Sequence, residues 1–584
     1  MDNIIIKINN NVDVKEVYND LFIYLAESWN NIDIQKYLLI LKYALDSNNN
    51  EFIHYVLSIG INIISYDVEI WAKWVHHKCY MHEYTNIKVS STEFSLNFIL
   101  ELEKQYLDVN VLFSLRHLFI HTNEDHLIQR KYYQDTILFL NNTYDLWINS
   151  KIINPVGYLP FFSSFIGFKL TYHNYNNSFL LYETSRLYKN LLKHNYNGSR
   201  FILNYSKYPT KQKKRIGFYS RFLHTHSIGK FIIGIIVELY KLNEFDIYVF
   251  TSDKFLKNDN DCLRKILKDN CDNFIIFNTE VVFDNVSDMI SAKLDILVFI
   301  DPLMDIQNYI ISNFRIAPIQ ITSWGHPDTT GIINMDYYIS SSIFESNNDV
   351  YYTEKLVQLP CLNMYYYPLK TIFGYDVLAE INSKTKQEIR KTFELPIDAH
   401  LYGFPCYHLK FSKEMYEILE NILHKDKNAY IINIMDWNED VYKKSWDKMY
   451  NAFKNKDLTS RILHIPYITN TVGYLTLISS FDLILDPFPF GGLISTMEQF
   501  ELGLPVVCME GNKLYNRFTA GLYKIMGITD LIVNNINDYV DRAIFVATHP
   551  TFHTNISARI SNNYWKLLEQ KETINEWAKF LHSL

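Results

Sequence analysis

With 584 residues, 48% of them hydrophobic and 21% charged, the chain is long enough for two to four domains with sizeable cores, and it reads as a water-soluble globular protein. A formal charge of −8 excludes an extended basic face for nucleic acid. Six scattered cysteines without a C-x-x-C pair fit a reducing compartment better than a disulfide framework. The sequence does not open on a basic-then-apolar leader and no apolar run reaches bilayer length, so the expected location is the cytoplasm with no membrane span.

Residues 1–210 are read as an all-α domain, a degenerate helical repeat being one form it could take. Tyr18–Leu45 and Glu51–Ile64 carry apolar residues at three-and-four spacing, with polar breaks such as Asp46–Asn50, but no thirty-four-residue repeat signature stands out. Lys211–Arg215 (KQKKR) reads as a solvated linker. From Ile216 short β-rich runs alternate with helical stretches: IGFYS, IGKFIIGIIVELYKL, FDIYVFTS, CLRKILKD, FIIFNT, DILVFID. After a pause around Tyr351–Glu394 the alternation resumes with LYGFP, EMYEILENIL, AYIINIMD, RILHIPYI, TVGYLTLISSF, LILDPF, PVVCM and DLIVNN. That pattern predicts an α/β protein with two consecutive doubly wound units, 211–375 and 376–560, and a closing helix over 561–584. Such sheets bind ligands at their carboxyl edges, so a cleft between the units is the expected site.

The stretch Phe481–Pro505, FDLILDPFPFGGLISTMEQFELGLP, carries the strongest local signal. An apolar strand ends at Asp486, a loop with Gly491 and Gly492 follows, and Ser495-Thr496 with Glu498 opens a helix. Unpaired first-turn N–H groups and the helix dipole make an anion site there. A carboxylate one turn in suits a ribose diol. The plainer reading is an ordinary strand–turn–helix corner with a capping hydroxyl.

Three further regions could carry chemistry. In GFYSRFLHTHSIGK, His226 follows the first strand of the first unit and can act as acid, base or donor; otherwise it caps its own helix, and His224 is less well placed. In PCYHLK, Lys410 follows the first strand of the second unit and can neutralise a departing diphosphate; otherwise it is a surface lysine. In WGHPDTTG, His326, Thr329 and Thr330 could line an acceptor side, or the loop is set by Pro327, Asp328 and Gly331 alone. Two metal motifs are set aside. Asp259-Asn260-Asp261 sits in a polar loop instead of a strand end, and His76, His77, Cys79 and His82 lack a second ligand pair.

Over about Arg215 to Ile544, the chain resembles the O-linked N-acetylglucosamine transferase/SPINDLY family, glycosyltransferase family 41. Five motifs stand in the family's order: GFYSRFLHTHSIGK, LDILVFIDPLMD, FRIAPIQITSWGHPDTTGIINMDYYISS, LILDPFPFGGLISTMEQFELGLPVV and RFTAGLYKIMGITDLI. The central one looks most like bacterial-type members and the related cytoplasmic N-glycosyltransferases. The resemblance implies a GT-B fold of two Rossmann-like lobes, the first on the acceptor side and the second binding a nucleotide sugar. It implies that His226 is the active-site histidine, that Lys410 contacts the diphosphate, that Ser495 and Thr496 lie in the phosphate loop and that Glu498 meets the ribose. Tyr474 falls where an aromatic can stack on the base, or packs in its helix. Leu493 and Ile494 depart from the family's small and polar residues, and Cys406 falls near a common Gln.

The expectation is therefore a metal-independent, inverting glycosyltransferase with no cofactor, moving GlcNAc or glucose from a UDP-sugar to a protein side chain, Ser/Thr before Asn. Rival readings are a transferase that extends a glycan or modifies a small molecule, a sugar-nucleotide epimerase, and a non-catalytic scaffold whose GT-B part has decayed.

Overall fold

The computed structural model describes residues 126–142, 168, 170–195 and 212–584, apart from 257–259, 278–280, 347–348 and 436–438. Most of the expected helical domain, the His76–His82 cluster and Asp259 lie outside the described residues. The chain divides into two compact units, Met1–Gly157 and Tyr158–Leu584. Within the first, α1 (His126–Asn142) buries Tyr133 and Ile137, which its four-residue spacing puts on one face. The second unit begins ahead of the boundary expected at residue 210: α2 (Ser178–Asn195) belongs with the α/β lobes, its Ser185 donating to Asn313 at 2.7 Å.

The first lobe is a seven-stranded sheet of order β3-β2-β1-β4-β5-β6-β7, every pair parallel. Its strands are β1 (Arg215–Tyr219), β2 (Asp246–Ser252), β3 (Asn273–Phe277), β4 (Ile296–Phe299), β5 (Ile319–Thr322), β6 (Tyr337–Ser341) and β7 (Lys355–Leu359). Arg215, read as the end of a linker, is the first residue of β1. The pause in the sequence pattern hides β7, an edge strand whose KLVQL side chains are only partly buried and so lack a strong apolar signature.

Helix α3 (Ser227–Lys241) follows β1 and is apolar nearly all round, because it lies buried between neighbours. Ile232, Ile233, Ile235, Ile236, Val237 and Leu239 are each fully enclosed. At roughly 1.5–3 kcal/mol per such side chain, this helix is a main support of the lobe. A Cβ on its Gly234 would stand 2.3 Å from the Tyr365 carbonyl, so only glycine lets the segment between the lobes lie this close. Among the other helices flanking the sheet, α4 (Cys262–Asp269) and α5 (Ile306–Ser312) are capped by Asp261 and Asp305.

The second lobe is a six-stranded parallel sheet of order β10-β9-β8-β11-β12-β13, with β8 (His400–Gly403), β9 (Ala429–Ile434), β10 (Ile462–Ile465), β11 (Leu483–Leu485), β12 (Val506–Met509) and β13 (Ile532–Val533). Two of its helices matter below: α6 (Thr471–Ser479) and α7 (Ile494–Glu501). The single closing helix expected over 561–584 is instead broken. A helix ends at Asn563, a 3₁₀ turn spans Tyr564–Leu567, and α8 (Lys571–Ser583) follows. α8 returns to the first lobe: Trp577, wholly buried, donates to Asn363 Oδ1 at 2.9 Å and lies 6.5 Å from the Phe218 ring. The chain thus crosses between the lobes twice, and the crossings meet where Glu569 N donates to the Tyr366 carbonyl at 3.1 Å.

Candidate functional site

In each sheet, strand order reverses beside the lobe's first strand, between β1 and β4 and between β8 and β11. Loops leaving neighbouring strands there run in opposite directions and open a crevice at the carboxyl edge. In the second lobe these are the Lys410 loop, after β8, and the Gly491–Gly492 loop, after β11. They meet: Lys410 Nζ donates to the Gly491 carbonyl at 3.0 Å and stands 4.8 Å over the Phe490 ring. Burial lowers the Lys410 pKa, while Cys406 and Asp486 nearby act to raise it.

The glycines do not offer their own N–H groups to a ligand. Gly491 N donates to the Tyr515 carbonyl at 2.9 Å, and Gly492 N to Asp486 Oδ1 at 2.8 Å. Burial pushes the Asp486 carboxyl up to about 6, against the opposing pull of that N–H, Lys410 and Thr519. The glycines serve the loop's shape instead. A Cβ on Gly492 would lie 2.6 Å from Ser495 Oγ and 2.7 Å from Thr496 Oγ1. The anion-binding element moves a few residues on, to the start of α7. Leu493 occupies the cap position and no side chain caps the helix. Met497 N is the first to bond back, to the Leu493 carbonyl at 3.0 Å, so the first-turn N–H groups face out of the helix beside Lys410. Ser495 is half-buried; Thr496 is buried, its hydroxyl 3.0 Å from that of Thr519.

Glu498, one turn further, is engaged: its Oε1 holds Lys230 of α3, which reaches over from the first lobe, and both side chains are buried. Charges so enclosed persist only when paired. Tyr474, on α6, joins this group. Its hydroxyl is buried, which raises its pKa, and the Glu498 charge acts on it in the same direction.

His226 does cap its helix: its Nδ1 accepts from Ile228 N at 3.2 Å. The ring stacks on Phe222 at 4.9 Å. Because a backbone N–H can only donate, the neutral ring carries its proton on Nε2. Capping engages Nδ1 alone.

The WGHPDTTG residues turn inward. His326 is buried, its Nε2 2.7 Å from Thr171 Oγ1. Thr329 Oγ1 donates to Glu354 at 2.6 Å, and Thr330 N to the same carboxylate at 2.8 Å. Both threonines are wholly buried, so the structural reading of that loop accounts for them and an open acceptor surface does not. Asp261 caps α4 and accepts from Thr225 N at 2.9 Å, which accounts for one half of the rejected D-x-D.

Lys230 and Asp486 are the functional candidates that sequence reasoning passed over, although both lie inside quoted motifs. The signal for Asp486 was a carboxylate ending an apolar strand. Lys230 gave none, because its partner is 268 residues away.

Two parallel-sheet lobes with crevices facing at their carboxyl edges and a return helix onto the first lobe define the GT-B class of glycosyltransferase fold. A point mutant of the Thermobaculum terrenum O-GlcNAc transferase has the same fold, superposing with a TM-score of 0.56 at 14% identity over 95% of this chain and 97% of that one. Residues 191–368 match the sequence model of "Glycosyl transferase family 41". Among curated relatives, a UDP-glucose:protein N-beta-glucosyltransferase of Actinobacillus pleuropneumoniae is 26% identical over 246 residues, 42% of this chain and 37% of that protein. A probable UDP-N-acetylglucosamine–peptide N-acetylglucosaminyltransferase SPINDLY of Eustoma exaltatum is 24% identical over 272 residues, 46% of this chain and 27% of that protein. The matched stretch therefore spans well under half the length of either relative.

Proposed function

We propose that this chain is an inverting, metal-independent glycosyltransferase that moves a hexose, GlcNAc or glucose, from a UDP-sugar to a protein side chain in the cytoplasm. One observation carries the reading: an ammonium, Lys410, stands beside the uncapped start of α7 at the switch point of the second lobe. Fixed positive charge there stabilises the negative charge that grows on a diphosphate as it leaves. Glu498 and Tyr474 lie one turn deeper, where a ribose and a base would follow. His226 offers Nε2–H from the opposite lobe to the sugar, a phosphate oxygen or the acceptor. Relatives named as protein glycosyltransferases support the protein acceptor. Among the described residues no three His, Cys, Asp or Glu side chains converge as metal ligands, and no helix is long and apolar enough to cross a membrane.

Intact-mass spectrometry of candidate acceptors co-expressed with the chain tests this. A hexose or N-acetylhexosamine increment is expected, and it should persist in excess EDTA. No increment across a broad acceptor panel, with UDP still bound, favours the scaffold reading. The N-glucosyltransferase relative favours a second acceptor, Asn. Site mapping of the modified residue separates it from Ser/Thr.

A further inference from the structure

The loop that precedes α7 has to be aimed by something, since Leu493 and Ile494 supply no polar side chain to fix it. From within the lobe it is held by Asp486 on Gly492 N, Tyr515 on Gly491 N, and Asn516 on the Pro489 carbonyl. None of those contacts involves the Phe490 ring. The ring that covers it comes from outside both sheets. Tyr172 stacks on Phe490 with centroids 4.5 Å apart and planes inclined 21°. On the same ring Tyr515 stacks at 5.4 Å and Lys410 Nζ stands at 4.8 Å.

The stretch around Tyr172 is tied to both lobes. Thr171 meets His326, and Asn177 donates to Asp328 at 2.6 Å, in the first lobe. In the second, Tyr515 Oη donates to the His173 carbonyl at 3.2 Å and Lys513 bonds the Tyr175 carbonyl. A short strap therefore spans the two lobes, and its Tyr172 ring rests on the loop that carries Gly491.

We propose that Tyr172 is a positioning residue for the diphosphate site, acting through Phe490 to hold Lys410 and the start of α7 in register. The inference rests on the nucleotide-sugar reading above. Its physical content is that Phe490 touches both halves of the anion site: the ring faces the Lys410 ammonium, and its own residue precedes Gly491, whose carbonyl that ammonium also holds. Removing the ring above Phe490 frees both together, so the phosphates lose contacts and the nucleoside keeps its own.

Calorimetry on the full chain with UDP and with uridine tests this. Tyr172→Ala is expected to weaken UDP about three- to tenfold, the scale of one aromatic pair, and to leave uridine binding unchanged. Tyr172→Phe, which keeps the ring, is expected to restore UDP affinity. Should the alanine variant not fold, Tyr172→Leu keeps the bulk without the ring and carries the same comparison. Equal UDP affinity in the altered and unaltered chains overturns the inference alone, and so does a parallel loss for uridine. Failure of the unaltered chain to bind UDP at all removes the nucleotide-sugar reading and this inference with it.

Discussion

The switch points of the two lobes are built alike and finished differently. At the first, charge is balanced within the protein. Arg221 pairs with Asp305 at 2.6 Å, and Asp301 is wholly buried with its pKa raised well above the ordinary range by that burial. At the second, a lysine and a helix start are left facing the crevice. The difference teaches where binding energy for a dianionic group resides: a self-neutralised edge supplies shape and hydrogen bonds, whereas an edge that brings a lysine to an uncapped helix start supplies affinity.

The sharpest way to break that contrast is to remove one residue from each side. His226→Ala is expected to lower turnover by about 10²-fold or more with little change in UDP affinity, while the lost cap costs about 1 kcal/mol of stability. Steady-state kinetics beside UDP calorimetry check it; near-native turnover would reduce His226 to its capping role. Lys410→Ala should do the reverse. It removes a charge-assisted contact worth on the order of 1.5–3 kcal/mol and weakens UDP roughly ten- to hundredfold, and unchanged affinity would take Lys410 out of the site. Glu354→Gln probes the buried threonine loop of the first lobe: a loss of about 1–3 kcal/mol in chemical denaturation is expected, with UDP binding untouched.

The smallest effect is in pH dependence. Asp486, raised to about 6, binds its proton more tightly folded than unfolded. Its contribution is thus fully present at low pH and falls as pH rises from near 4 to 6. Glu501, pushed up to about 7 by burial, acts in the same direction over a range extending to pH 7. His464, lowered to about 4 by burial, acts oppositely and costs stability as pH falls from 6.5 towards 4. Asp486→Asn should flatten the first of these slopes in denaturation curves taken between pH 4 and 6. A slope unchanged by the substitution counts against a buried, proton-retaining Asp486.

The alternation of β-rich and helical runs located β1 to β4 and the strands of the second lobe because strands in parallel sheets are buried on both faces and leave continuous apolar runs; β5 and β6 were not among the runs read. It missed β7, a half-exposed edge strand, for the same reason. Lys410 and Gly491 were legible as neighbours because each follows a strand at a switch point, and topology alone brings such loops together. What escaped was set by distant pairing. Thr329 and Thr330 looked available until Glu354, 24 or 25 residues on, took their hydroxyls. Glu498 looked free until Lys230 crossed the cleft, and Tyr172 carries no local mark of the ring it covers.

The return of α8 to the first lobe also sets an order of events in folding. Trp577 belongs to the core around Phe218, and Thr573 bonds the Leu362 carbonyl, so the first lobe lacks part of its interior until α8 has been made. Contacts of such long sequence separation form late, since the loop between them must close first. The first lobe waits with an incomplete core while the second, whose strands all precede that helix, assembles beside it. Native assembly of the two lobes is thereby coupled, and the crevice and the finished core arrive in the same step.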